Sequence, residues 1–151
     1  MSQSLAKNWI HLVYSTKDRR PRIATEVQPK LYAYQAGIFV KQLSPARRIG
    51  GMDDHVHALF LLSKNYALKD VVEEVKKASS KWMKTSEGTS NSSFYWQGGY
   101  GAFSVSESNV DSVVKYNENQ AEHHQTMTFQ DELSKLFKLH QIEFDERYVW
   151  E

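Results

Sequence analysis

The chain has 151 residues, a formal net charge of +1, 40% hydrophobic and 13% aromatic residues. That composition fits one folded domain spanning 1–151 and excludes both a disordered chain and a uniform polyanion-binding coat. There is no cysteine, which excludes disulfides and thiolate metal sites and fits a reducing cytoplasm, the expected location.

The N-terminal segment carries an apolar run of only about six residues, far short of the ~20 that span a bilayer. Most of its positive charge follows that run rather than preceding it, unlike a signal peptide. Asn8 to Thr16 (NWIHLVYST) is rich in aromatic and β-branched residues and reads as a first strand. Lys17, Arg19, Arg20 and Arg22 then place four positive charges in six residues, a candidate phosphate-backbone contact in a DNA-binding protein. Arg47 and Arg48 form a second basic pair. Thr25 is a candidate helix N-cap before Val27, Leu31, Tyr34 and Ile38, with Pro45 ending the helical region. Arg47 to Met52 and His55 to Leu62 read as two strands joined at Asp53 and Asp54.

Leu68, Val71, Val72, Val75, Ala78 and Trp82 form one apolar helical face. Gly88 and the serines and asparagine at 90–93 make a loop, and Tyr100 to Ser106 reads as a fourth strand. In that strand Gly101 would let a neighbouring backbone approach closely. Ser108 or Asn109 caps a helix running to about Thr126, and Thr128 or Phe129 opens a last helix to about His140. The order β-α-β-β-α-β followed by helices predicts an α+β, ferredoxin-like fold, an antiparallel four-stranded sheet with two helices on one face. The third helix is left to cover the other face or to reach a partner.

The chemistry concentrates in two places. In GGMDDHVHALFLL, His55 and His57 stand two apart in a strand, so both imidazoles project from one face roughly 7 Å apart at the backbone. In VDSVVKYNENQAEHHQ, the helical wheel puts Val110, Val113, Val114, Asn117, Ala121 and His124 on the packing face. Tyr116, Gln120 and His123 fall on an adjoining one. Two imidazoles and one amide oxygen can hold a divalent ion with positions left open. Oxygen-rich phosphate would complete the shell of Mg²⁺ or Mn²⁺, with the nitrogen ligands favouring Mn²⁺. Tyr116 is then placed as a nucleophile whose pKa of about 10 requires assistance. The spacing does not name a general base. His123 could touch phosphate or rival Gln120, whereas His124 reads as a hydrogen-bonded structural residue; neither enters the metal set.

The segments WIHLVYSTKDR, DHVHALF, SSKWM, FYWQGGYGAFSVS, YNENQAEHH and DERYVW together resemble the single-tyrosine HUH transposases of small bacterial insertion sequences, over nearly the whole chain and in the same order. The resemblance implies a ferredoxin-like homodimer that acts on hairpin-bearing single-stranded DNA with a divalent metal, Mg²⁺ or Mn²⁺, and no small-molecule substrate. It implies His55 and His57 as the histidine pair, Gln120 as the third metal ligand and Tyr116 as the catalytic nucleophile, joined to a 5′-phosphate as a 3′-hydroxyl leaves. It further implies that the tyrosine helix can dock on the other protomer. Relatives usually carry an aliphatic residue directly after the tyrosine, where this chain has Asn117.

Other residues admit two readings. Lys77, Lys81 and Lys84 could track a DNA backbone, although Glu73 can pair with Lys77 and helix C-termini favour lysine. Tyr95, Trp96 and Tyr100 could stack on unpaired bases or fill the core. At the level of function, an enzyme that cuts and rejoins DNA competes with a module that only holds a DNA or RNA hairpin. A host-retained relative acting on dispersed palindromes is a further enzymatic version. The set His55, His57, Tyr116 and Gln120 favours an enzyme, since binding alone does not require it.

Overall fold

The computed structural model describes residues 2–85 and 93–150; of the loop expected at 88–93, all but Ser93 lies outside them. Strands β1 (Trp9–Ser15), β2 (Ala46–Gly51), β3 (His55–Leu61) and β4 (Gly101–Val105) form one antiparallel sheet in the order β2-β3-β1-β4. Helices α1 (Gln28–Lys41) and α2 (Leu68–Met83) supply the two crossovers, which gives the expected ferredoxin-like α+β architecture. No helix of the described residues is long and apolar enough to cross a membrane.

Alternation along the strands divides the sheet into two chemically different faces. Leu12 and Tyr14 of β1, with Val56, Ala58 and Phe60 of β3, join Leu31, Phe39, Val71 and Val75 in the main core. The opposite face is covered by α3 (Val110–Glu118), α4 (Gln120–His123) and α5 (Phe129–Leu139). There Val13 and Phe103 meet Phe129, Leu133 and Phe137 in a second core. Because both faces are covered, β1 and β3 read as continuous apolar runs, and His55 and His57 are both fully buried.

Several local expectations shift. Thr25 does not cap α1, which begins three residues later behind a turn at Ala24 and carries Pro29 in its first turn. Tyr34 is exposed and stacks on Trp82 at 5.3 Å, while Gln35 takes the buried position and donates to the Tyr14 hydroxyl at 2.5 Å. The helix expected to continue to Thr126 breaks at Asn119 (φ −95°, ψ 22°), turning Ala121 out to solvent instead of onto the packing face. Thr128 does cap α5, in a capping box with Asp131.

The close backbone approach expected at Gly101 occurs at Gly50. A Cβ at Gly101 would meet only side chains, those of Leu133 and Phe103, whereas one at Gly50 would sit 2.5 Å from the Asn117 carbonyl oxygen. The missing side chain at Gly50 therefore seats the tyrosine-bearing helix on β2. Asn117 is on the packing face as the wheel placed it and only 2% exposed, but its amide nitrogen and oxygen have no hydrogen-bond partner among the described residues. A buried amide in that state costs roughly 1–3 kcal/mol. Asn117→Leu, nearly isosteric and apolar, is expected to stabilise the chain by about 1 kcal/mol in urea unfolding; a loss of stability would show that the amide is satisfied in solution.

Candidate active site

The second face of the sheet gathers its polar groups at one point. His55 and His57 project from β3 towards α4 and α5, and each has one ring nitrogen occupied on the side away from them. His55 Nδ1 lies 2.6 Å from Asp54 Oδ1, and His57 Nδ1 lies 2.8 Å from His11 Nε2 on the neighbouring strand. Their Nε2 atoms are thereby turned inwards. His55 Nε2 is 2.8 Å from the Gln120 side-chain oxygen, and His57 Nε2 is 2.8 Å from Glu132 Oε1.

Glu132 is where the elements meet. Its Oε1 is also 3.5 Å from His55 Nε2 and 3.2 Å from His124 Nε2. Its Oε2 accepts from the Tyr116 hydroxyl at 2.5 Å and from the Gln120 amide at 3.2 Å. Five side chains from β3, α3, α4 and the short turn after α4 thus converge on a carboxylate that is 1% exposed. The His123 ring packs against the Tyr116 ring, tilted by 33° with centroids 4.4 Å apart. His124 is held through Nδ1 by the Met127 carbonyl at 2.9 Å.

The electrostatics follow from burial around that carboxylate. Burial pushes Glu132 up, but hydrogen bonds from His124 and His57 outweigh it and hold the carboxyl well below its ordinary range. Burial lowers His124, yet its bond to Glu132 lifts it above the usual imidazole value. Burial dominates at His57, lowering it to about 4 against the pull of Glu132, and at His11, lowering it to about 3. Burial, then the adjacent carboxylate, raises the Tyr116 phenol, so in this arrangement it is a protonated donor rather than a ready nucleophile.

Ligand atoms of His55, His57 and Glu132 lie within 4.8 Å of one another, and Gln120 adds an amide oxygen beside them. Two imidazole nitrogens plus carboxylate and amide oxygens form a donor set that fits a small divalent cation. Tyr116, half-buried, stands beside this set and lines an open groove of about 330 Å³ with His11, Val113, Leu136 and His140.

The four predicted DNA-contacting cations separate. Lys17, Arg20 and Arg22 line a cavity of about 260 Å³ with Asp18, Ser93 and Tyr95. Arg19 instead donates to the Trp150 carbonyl at 2.9 Å, tying down the C-terminal segment, which also accepts from Gln97 at Val149. Tyr95 is exposed beneath Lys84 (4.3 Å) and Lys17 (5.9 Å), whereas Trp96 is buried in the main core against Tyr14. Thr16 bonds the Asp54 carbonyl, so the basic loop leaves β1 at the strand end that begins with His55.

Glu132, His11 and Asp54 escape a reading of the sequence alone. For Glu132 a signal exists: it falls inside the stripe Phe129, Leu133, Leu136, Phe137, where a lone carboxylate on an apolar face implies a buried partner.

A ferredoxin-like sheet with a tyrosine facing a buried histidine pair defines a recognisable class of protein. The model of the IS200-like transposases matches residues 4–120, and the chain belongs to that family. No curated protein matches the sequence. A candidate transposase from Deinococcus radiodurans R1 superposes with a TM-score of 0.59 at 24% identity, over 80% of this chain and 98% of that one. A REP-associated tyrosine transposase bound to a REP hairpin gives 0.60 at 13% identity, over 82% and 74%. At these identities the two likenesses establish the fold. The family match stops at Gln120 and therefore excludes α5 and Glu132.

The histidines set the acid limit of stability. Above pH 6.5 His11 and His57 are neutral whether folded or not; below it the unfolded chain takes up protons that the fold refuses until about 3 and about 4. Metal-free protein should therefore lose on the order of 2–5 kcal/mol of unfolding free energy between pH 6.5 and 4.5. A flat profile across that window in urea titrations would contradict the burial of neutral imidazoles.

Proposed function

We propose that this transposase cleaves and rejoins single-stranded DNA at hairpin-marked element ends, with Tyr116 as the nucleophile and a 5′-phosphotyrosine intermediate. The observation that carries the proposal is the convergence of the Tyr116 hydroxyl and both histidine Nε2 atoms on the Glu132 carboxylate. A hairpin-holding module has no use for a buried tyrosine–carboxylate–histidine cluster, whose assembly carries a desolvation cost.

His55, His57 and Glu132 would hold the divalent cation, with Gln120 as a further oxygen donor, and Mn²⁺ or Mg²⁺ fits these donors. Bound there, such an ion polarises a phosphoryl oxygen and adds positive charge beside the phenol, opposing the rise in its pKa. Glu132 has one oxygen towards the histidines and the other on the phenol, so Oε2 is the acceptor for the Tyr116 proton. In the cleavage step the Tyr116 oxygen bonds to phosphorus, the bond to the 3′-oxygen breaks, and that oxygen leaves as a hydroxyl once protonated. Attack by a second 3′-hydroxyl on the phosphotyrosine reverses the same bonds and joins the new strand, so no nucleotide cofactor is consumed.

The strand reaches Tyr116 from its open groove, and Lys17, Arg20 and Arg22 with Tyr95 contact the phosphate backbone and an unpaired base. The hairpin bound by the REP-associated neighbour supports a hairpin as the recognised element. The chain acts as one domain over 1–151 and as a homodimer, free of the membrane, in the cytoplasm.

The test is a pool of labelled hairpin-bearing single strands incubated with the protein and Mn²⁺, then resolved on a denaturing gel. A covalent adduct is expected for the wild type, none for Tyr116→Phe or without metal, and at least a hundredfold less for Glu132→Ala. Hairpin binding in a native gel with no adduct under any condition would favour the binding module instead.

A further inference from the structure

We infer that His11 is a positioning residue for the metal-binding site: the acceptor that fixes His57 in the tautomer able to bind a cation through Nε2. The inference rests on the metal reading of the cluster and extends it to a residue that does not itself face the donor set.

An imidazole that binds a metal through Nε2 must carry its hydrogen on Nδ1, and that hydrogen needs an acceptor when the ring is buried. His55 has Asp54 for this purpose, 2.6 Å from its Nδ1. The His57 ring is fully buried, and its Nδ1 lies 2.8 Å from His11 Nε2. His11 is itself only 5% exposed, and the two rings meet edge to edge through this contact, centroids 5.0 Å apart and planes 29° from parallel. It comes from β1, two positions before Val13, the residue paired with His57, so the diagonal contact is set by sheet register and not by a loop.

A carboxylate at this position could only accept. Imidazole can do either, and both roles are required. With Glu132 alone at 2.8 Å, His57 Nε2 carries hydrogen and donates to the carboxylate, so Nδ1 accepts from His11 Nε2–H. When a cation takes Nε2, the His57 hydrogen resides on Nδ1 and is donated to His11 Nε2, whose own hydrogen moves to its Nδ1. Each ring carries one hydrogen before and after, so the pair changes tautomer without gaining or losing a proton. Loading the site then leaves no buried ring nitrogen unpaired at the His11–His57 contact.

Mn²⁺ affinity of the full chain, measured by calorimetry and by electron paramagnetic resonance without DNA, tests this directly. His11→Phe keeps the ring and removes the acceptor; His11→Gln keeps an oxygen and an N–H that amide rotation can exchange. Loss of such an outer partner typically costs 10–100-fold in metal affinity. We expect that loss for His11→Phe, and binding within about threefold of wild type for His11→Gln, with both variants matched to wild type by circular dichroism and thermal unfolding. Wild-type affinity in His11→Phe, or equal weakening in both variants, would overturn the role while leaving the metal site standing. If the wild-type chain bound no Mn²⁺ at all, the metal reading would fail and this inference with it.

Discussion

The second face of this sheet depends on one buried carboxylate. Glu132 meets the strand that carries the histidines, the helix that carries the tyrosine and the helical turn that carries Gln120. An isolated buried carboxylate is costly, and this one is tolerated because hydrogen-bond partners surround both oxygens. The same arrangement that satisfies Glu132 brings the reactive groups together. Structure and proposed chemistry therefore share a single set of hydrogen bonds.

The scaffold explains why the carboxylate can be so central. The α1–α2 face carries the larger apolar core and provides stability without involving the histidines. The other face is thus released to be polar at its centre, edged by the small cluster of Phe129, Leu133 and Phe137 that presses α5 onto β1 and β4. Gly50 lets α3 lie directly on β2, setting how deep Tyr116 reaches. A face built this way stores its polar groups under helices, and Tyr116 also borders an open groove.

Much of this was legible in the residues and some was not, for identifiable reasons. The first and third strands and α2 follow from apolar runs and a clean apolar stripe, patterns that need only local information. The pairing of His55 with His57 on one face follows from the two-residue strand period alone. Tyr116 and Gln120 gain their meaning from the ordered motifs around them. His11 was hidden because its role depends on strand register: nothing in WIHLVYS tells which β3 residue it will lie against. Glu132 sits 75 residues from His57 on a helix beyond the family match, where an acidic residue is ordinarily taken as solvated. The break at Asn119 also escaped, since the amphipathic pattern runs through it unchanged until the packing of Ala121 is seen.

The proposed site would hold a cation between two strand histidines and a carboxylate from the last helix. The most direct measurement is a crystal soaked in Mn²⁺, with data collected at the manganese edge to locate the ion by anomalous scattering. One strong peak bonded to His55 Nε2, His57 Nε2 and an oxygen of Glu132 is expected. A peak whose ligands omit Glu132, or no peak on this face of the sheet in an ordered crystal, would contradict it.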